Sequence, residues 1–142
     1  MGWKGATLRS YDWEHYGVLK DTSRYTTAGN ISTSPITLTQ LSQDKNTWIR
    51  CEVAGNLSAP PETLASLKYD DAWEVRSRVA QNPNTPPETL AALSKDEDYF
   101  VRGRVARNPS TPEDTLITLS RDADEGVRLP VVENPSTPYG IW

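Results

Sequence analysis

Residues 82–107 read NPNTPPETLAALSKDEDYFVRGRVAR, and closely similar stretches precede and follow them at a constant step of 26 residues. The copies begin at Asn30, Asn56, Asn82, Asn108 and Asn134; the copy at Asn30 is looser, and the copy at Asn134 is partial. A fixed period of this length is the signature of a solenoid, in which each unit buries its apolar face only against its neighbours. We therefore expect a stack of repeats that offers a binding surface.

Each copy predicts two short helices. In the cleanest copy, Thr85 stands at the N-cap position, Pro86 follows as the first helical residue, and Glu88 is spaced to complete a capping box. A polar turn over 94–98 leads to a second helix over about 99–107. An Asn-Pro pair then ends this helix, because the residue before proline is pushed out of the helical region. The asparagine is also expected to adopt a left-handed turn and to hydrogen-bond along the stack.

These patterns predict an all-α fold, a right-handed α-solenoid of about four 26-residue two-helix repeats with an irregular N-terminal cap, although the spacing itself does not fix the handedness. Residues 1–29 depart from the period and form a degenerate first repeat that caps the stack. The Tyr11 to Tyr16 segment is alternatively an exposed docking peptide. The solenoid covers 30–142, and its units are predicted at 30–55, 56–81, 82–107, 108–133 and, in part, 134–142.

Several features recur in register and together resemble the variant leucine-rich repeat family, a relative of HEAT-like helical repeats. They are an Asn-Pro-x-Thr-Pro block, a Leu-x-x-Leu pair and a Val-Arg-x-x-Val-Ala ending, as seen at 82–86, 90–93 and 101–106. The resemblance covers residues 30–142. It implies a curved superhelix of one α-helix and one shorter 3₁₀-like helix per unit, and a scaffold with no particular reaction. The iron–sulfur segment of some members is not implied here, because Cys51 is the only cysteine.

Composition narrows the function classes. The chain has 142 residues, a net charge of −4 and a pI near 5.0, which counts against a general binder of nucleic acid or membrane surfaces. It has no apolar run of membrane-spanning length and no signal-peptide core, so we expect a soluble, cytoplasmic protein. A single histidine, His15, and the absence of a phosphate loop or metal-ligand spacing predict no enzyme, no catalytic or metal site, and no cofactor.

One series of charged residues is predicted to be structural. Helical periodicity places Arg76 on the inward side of the second helix, between Val79 and Ala80. An unpaired buried charge is costly, and an aspartate stands six residues earlier in each unit, so we predict an Asp–Arg ladder through the stack. Its members are Asp44, Arg50, Asp70, Arg76, Asp96, Arg102, Asp122 and Arg128. The alternative is a row of arginines that binds phosphates.

The outward side of the second helix does not repeat faithfully, as is typical of a partner-specific surface. Tryptophan and arginine are also common among binding hot spots. The predicted partner-binding residues are Trp48, Trp73, Arg78, Tyr99, Phe100 and Arg104. The alternative is that the aromatic side chains fill gaps between units and the arginines pair with nearby acids.

The leading hypothesis is a non-enzymatic protein–protein interaction module, a small helical-repeat scaffold that serves either as a resident adaptor or as an accessory factor of a virus or mobile element. Its partner would be another protein, and no membrane is involved. One alternative is a protein that binds the nucleic-acid backbone through its arginine rows. Another is a self-associating structural module, with Trp142 and the N-terminal aromatic residues as the contact.

Overall fold

The computed structural model describes residues 17–141, with side chains from residue 21 onward. This part of the chain contains nine helices and no strands, so the predicted all-α fold is confirmed. The helices are α1 (Gly17–Gly29), α2 (Pro35–Leu41), α3 (Thr47–Gly55), α4 (Pro61–Leu67), α5 (Trp73–Gln81), α6 (Pro87–Leu93), α7 (Tyr99–Arg107), α8 (Glu113–Leu119) and α9 (Glu125–Glu133). No helix of the described residues is long and apolar enough to cross a membrane.

Long and short helices alternate to build a solenoid. The odd-numbered, long helices α1, α3, α5, α7 and α9 pack side by side in chain order and form one continuous layer. Each short, even-numbered helix packs mainly against the long helices next to it in sequence. The short helices are α-helical rather than 3₁₀-like: in α6 the amides of Leu90 and Ser94 donate to the carbonyls four residues earlier, at Pro86 and Leu90, and 3₁₀-type bonds accompany them at the two ends, from Thr89 to Pro86 and from Lys95 to Ala92.

The core lies between the two layers and repeats with the sequence. One leucine from each short helix and two β-branched residues from each of the helices α3, α5, α7 and α9 are fully buried. In the third unit they are Leu90, Val101 and Val105. Each such side chain contributes roughly 1.5–3 kcal/mol relative to an exposed position. Ala28, in the last turn of α1, is buried like Ala54, Ala80 and Ala106 further along, so residues 17–29 continue the layer. The domain boundary at residue 30 stays a prediction, and Tyr11 to Tyr16 lie outside the described residues.

The predicted N-cap at Thr85 is wrong. Helix α6 begins at Pro87, its N-cap is Pro86, and no side chain caps it, so the capping box with Glu88 does not form. The Thr85 hydroxyl instead donates to the Val79 carbonyl at 2.6 Å. That carbonyl belongs to the last turn of α5, where the backbone acceptors lack intrahelical donors. The Thr85 hydroxyl therefore caps the end of α5 rather than the start of α6.

The asparagine that follows each long helix links two units. Asn82 is extended, with φ −70° and ψ 123°, so the expected left-handed turn is wrong. Its side-chain amide donates to the carbonyls of Ala54 (2.8 Å) and Asn56 (3.0 Å) at the C-terminal end of α3. Its Oδ1 accepts a hydrogen bond from the Asn84 amide. The same bonds recur at Asn56, Asn108 and Asn134. The expected bond along the stack is therefore present.

We expect Asn82→Ala to lower the free energy of unfolding by about 3 kcal/mol, because each buried polar group left unpaired costs roughly 1–3 kcal/mol. Urea denaturation followed by circular dichroism at 222 nm measures the change. The control is Asn30→Ala. Asn30 is exposed, and in the described chain its side-chain amide bonds no other unit, so its loss should be below about 1 kcal/mol. Equal losses for the two variants would contradict the bridging role.

Candidate functional site

The arginines predicted for the ladder lie in the long helices. Each donates hydrogen bonds to an aspartate carboxylate, to an aspartate backbone carbonyl, or to both. Arg76 donates from Nε to Asp96 Oδ2 (2.7 Å) and from Nη2 to Asp96 Oδ1 (3.1 Å). Its Nη1 donates to the Asp70 carbonyl at 2.8 Å. Equivalent side-chain pairs join Arg24 to Asp44, Arg50 to Asp70 and Arg102 to Asp122. Each bidentate pair therefore links one unit to the next.

The carboxylate partner of each arginine belongs to the following unit, whereas the aspartate six residues earlier offers its backbone carbonyl. Asp96 Oδ1 also accepts from the Asp98 amide, so one carboxylate orients its own turn and binds the neighbouring unit. Arg128 keeps the carbonyl bond, to Asp122 at 2.7 Å. The described residues supply no carboxylate to Arg128.

Two aspartates of this series have perturbed acidity. Burial opposes ionisation of Asp122, but the hydrogen bonds from Arg102 and from the Asp124 amide outweigh it and lower the pKa of Asp122. The pKa of Asp44 is lowered in the same way against its burial, by Arg24 and the Asn46 amide. The hydrogen bond to the carboxylate raises the pKa of Arg102. These arginines are therefore charged and already bound to carboxylates.

Four of the residues predicted to bind a partner lie together on the long-helix layer. The Phe100 ring is 5.4 Å from the Trp73 ring and 6.0 Å from the Tyr99 ring, measured between centroids. The Arg104 guanidinium lies 5.2 Å from the Phe100 centroid. All three aromatic side chains are 40–50% exposed. We call Trp73, Tyr99, Phe100 and Arg104 the aromatic patch.

The other two predicted residues are placed differently. Arg78 donates from Nη2 to Glu52 Oε2 at 3.0 Å, the acid pairing that the alternative interpretation expected. Trp48 lies on α3, is 58% exposed and contacts no other aromatic ring of the described chain. The continuous surface is therefore shorter than the predicted stripe and is centred on Phe100.

Comparison with known proteins agrees with this architecture. The model of the leucine rich repeat variant family matches residues 73–98, one repeat length. A solved structure described as a leucine-rich repeat variant with a novel repetitive structural motif is 34% identical, with a TM-score of 0.58 over 76% of this chain. The chain is therefore similar to the leucine-rich repeat variant family in one matched repeat and in its fold. It spans 43% of the length of that solved chain. A search of curated proteins gave no match.

A groove adjoins the aromatic patch between α7 and α9. Its volume is about 290 Å³, and it is lined by Tyr99, Phe100, Gly103, Arg104, Arg107, Gly126 and Pro130. Gly126 occupies the position that Phe100 holds one unit earlier, and Pro130 occupies that of Arg104. The missing side chain at Gly126 leaves the groove open beside the two rings.

A second groove was missed by the sequence reasoning. It lies between α2 and α4, has a volume of about 700 Å³, and is bordered by Ile36 and Tyr69, which are 73% and 77% exposed. The Thr39 and Thr63 hydroxyls meet at 2.9 Å across it. The sequence signal was Ile36 itself, because the later units carry an acidic residue at that position.

The last long helix also exposes apolar residues that the sequence reasoning missed. Leu129 and Val132 are each 56% exposed. They stand where the preceding unit has Gly103 and Ala106, and Ala106 is fully buried. The signal was the replacement of small residues by large apolar ones in the last complete unit.

The described residues contain no group of three or more His, Cys, Asp or Glu side chains that could hold a metal ion. Cys51 is buried in the long-helix layer, and its burial raises the pKa of the thiol to about 11. Trp142 and His15 lie outside the described residues.

We expect the stabilising effect of Asp122 to disappear in acid. Its folded pKa lies below the ordinary value of 3.8, so it contributes stability above that pH and loses the contribution as the pH falls through the lowered pKa. Asp122→Asn should therefore be less stable than the unmodified protein at pH 7, and the difference should shrink below pH 3.8. Urea midpoints from pH 7 to 2.5 measure it, in steps of about half a unit.

The matched control for this titration is Asp71→Asn, which makes the same change at an exposed carboxylate. No cation of the described chain pairs with the Asp71 carboxylate, and Arg76 binds only its backbone carbonyl, at 3.1 Å, which the substitution keeps, so the effect on stability should be small. A constant deficit for Asp122→Asn down to the lowest pH would contradict the role of its charge.

Proposed function

We propose that this protein is a non-enzymatic protein–protein interaction module that binds another protein through the aromatic patch. The observation that carries the proposal is a cluster of three half-exposed rings beside an arginine on a rigid helical layer. Trp, Tyr and Arg dominate the binding energy of many interfaces. The acidic composition and the single cysteine also favour a cytoplasmic location.

Order within the patch supports this proposal. The Phe100 ring is already fixed between its neighbours Trp73 and Tyr99, so little side-chain freedom remains to be lost when a partner binds. Immobilising a flexible side chain at an interface costs about 0.5–1.5 kcal/mol. A patch whose side chains are already ordered therefore loses less conformational entropy on binding and binds more tightly for the same buried area.

Binding to a nucleic-acid backbone is less well supported. That alternative needs a row of arginines available to phosphates. Arg50, Arg76 and Arg102 are each bidentate to an aspartate, and Arg78 is bound to Glu52. Their charge is largely neutralised within the chain.

Self-association is a second candidate, favoured by the exposed Leu129 and Val132 on α9. Arg128 adds a charged group without a carboxylate partner at the same end of the described stack. Two neighbouring apolar side chains with an unpaired cation beside them are suited to a contact with another copy. The N-terminal aromatic residues and Trp142, which were first considered for this contact, lie outside the described residues.

We expect the double variant Phe100→Ala, Arg104→Ala to abolish partner binding without loss of helix, because it removes the centre of the patch from a surface outside the core. Wild-type and variant chains are used as bait on extract of the native cell, and the retained proteins are compared. Circular dichroism at 222 nm checks that the helix content is unchanged.

The control for that experiment is Ile36→Ala, Tyr69→Ala, which removes a comparable exposed apolar surface from the other groove. It should retain the same proteins as the wild type. Loss of the partner in the control alone would move the binding surface to the α2–α4 groove. Unfolding of the patch variant would show that Phe100 and Arg104 are packing residues.

For self-association, we expect the weight-average mass to rise with concentration in sedimentation experiments between about 1 and 200 µM, because a small apolar contact gives weak association. Leu129→Ser, Val132→Ser should remain monomeric over the same range. A wild-type protein that stays monomeric at the highest concentration removes this candidate.

A further inference from the structure

Arg104 has no acidic partner in the described residues, unlike Arg78, its counterpart one unit earlier. Arg78 reaches back along the layer to Glu52, the residue at the same position of the preceding unit. Arg104 has Arg78 at that position, and its guanidinium has no ion-pair partner in the described residues. Its Nε is buried and without a hydrogen-bond acceptor. The described residues therefore leave this partly buried cation without a counter-charge.

The same arginine borders the groove that opens toward α9. A Cβ built on Gly126 would lie 3.0 Å from Asp124 Oδ1, a tight contact, and 3.6 Å from the Tyr99 ring, so the glycine leaves the face of that ring uncovered between the two side chains. Pro130 is buried and forms an apolar wall. The groove thus combines an open aromatic surface with an unpaired cation at its edge.

We propose that this groove binds an acidic segment of the partner protein, with a carboxylate on Arg104 and an adjacent aromatic or large aliphatic side chain beside Gly126, against Tyr99 and Phe100. This inference rests on the proposed function, and it specifies the chemistry of the partner. A planar guanidinium pairs well with a carboxylate, and such charge-assisted bonds are about twice as strong as neutral ones.

The charge of the groove argues against a basic ligand. A lysine or methylated lysine would need the aromatic face that Arg104 already occupies, 5.2 Å from the Phe100 centroid, and would be repelled by that guanidinium. Arg107 adds a second cation to the lining. Its contact with Glu133 is long, at 3.4 Å, and both side chains are more than half exposed, so it is weakly neutralised.

The test uses a displayed library of random 12-residue peptides, selected on the immobilised full chain. The expected binders carry Asp or Glu next to Trp, Phe, Tyr or Leu. Affinities of the recovered peptides are then measured by fluorescence anisotropy on the variants. Arg104→Gln and Gly126→Leu should each weaken binding about tenfold or more, since they remove a charge-assisted bond or fill the groove.

Arg78→Gln is the matched control, because it removes the same charge from the neighbouring unit, where Glu52 neutralises it. It should change affinity by less than about threefold. A peptide in which the acidic residues are replaced by Gln or Asn should bind the wild type about as weakly as the acidic peptide binds Arg104→Gln.

The outcomes separate this inference from the proposed function. Binders without acidic residues that are lost in Phe100→Ala, Arg104→Ala overturn the acidic ligand and leave the patch as a binding surface. Acidic binders that Arg104→Gln retains also overturn it. A library with no binder lost in the double variant contradicts both the inference and the proposed function. Unchanged circular dichroism of each variant shows that the loss is not caused by unfolding.

Discussion

The solenoid depends on one side-chain amide in each unit. The last carbonyls of an α-helix lack intrahelical donors, and a stack of short helices has many such ends close together. Asn56, Asn82, Asn108 and Asn134 each place an amide between two carbonyls at the end of the preceding long helix, at 2.7–3.0 Å. These amide donors are buried, and both of their hydrogen bonds join neighbouring long helices. They therefore satisfy the carbonyls at the helix ends and also fix the offset between successive long helices.

The opposite end of the long helices is tied by charge. The Arg–Asp pairs join consecutive units near the start of each long helix, and the same aspartates accept from the backbone of their own turn. Each helix of the layer is therefore fastened at both ends, and the valines, leucines and alanines between them set the spacing. With the frame determined by a few buried positions, the exposed positions are free to differ from unit to unit. The aromatic patch and its groove lie where the exposed positions differ: Phe100 is replaced by Gly126 at the equivalent position of the next unit.

The sequence predicted the period and the two helices of each unit, because similar faces recur every 26 residues. It did not predict which unit supplies each partner. Periodicity places Arg76 on an inward face, but only the offset between helices decides that it meets the carboxylate of Asp96 and the carbonyl of Asp70. The N-cap prediction at Thr85 failed for a related reason: a hydroxyl before a helix can cap that helix or close the previous one, and here it donates to the Val79 carbonyl, which also accepts from the Asn82 amide. The grooves were not predicted, since their shape depends on how neighbouring units pack, although Ile36 and Gly126 mark their places in the sequence as departures from the repeat.

The most direct measurement is hydrogen exchange of the asparagine side-chain amides, followed by NMR on uniformly labelled protein. The side-chain protons of Asn56, Asn82 and Asn108 should exchange far more slowly than those of Asn30, whose side-chain amide has no bond to another unit in the described chain. Protection of these three groups should also be lost together with the backbone amides of the long helices as urea is added. Exchange of all four groups at the rate of free asparagine would contradict the account.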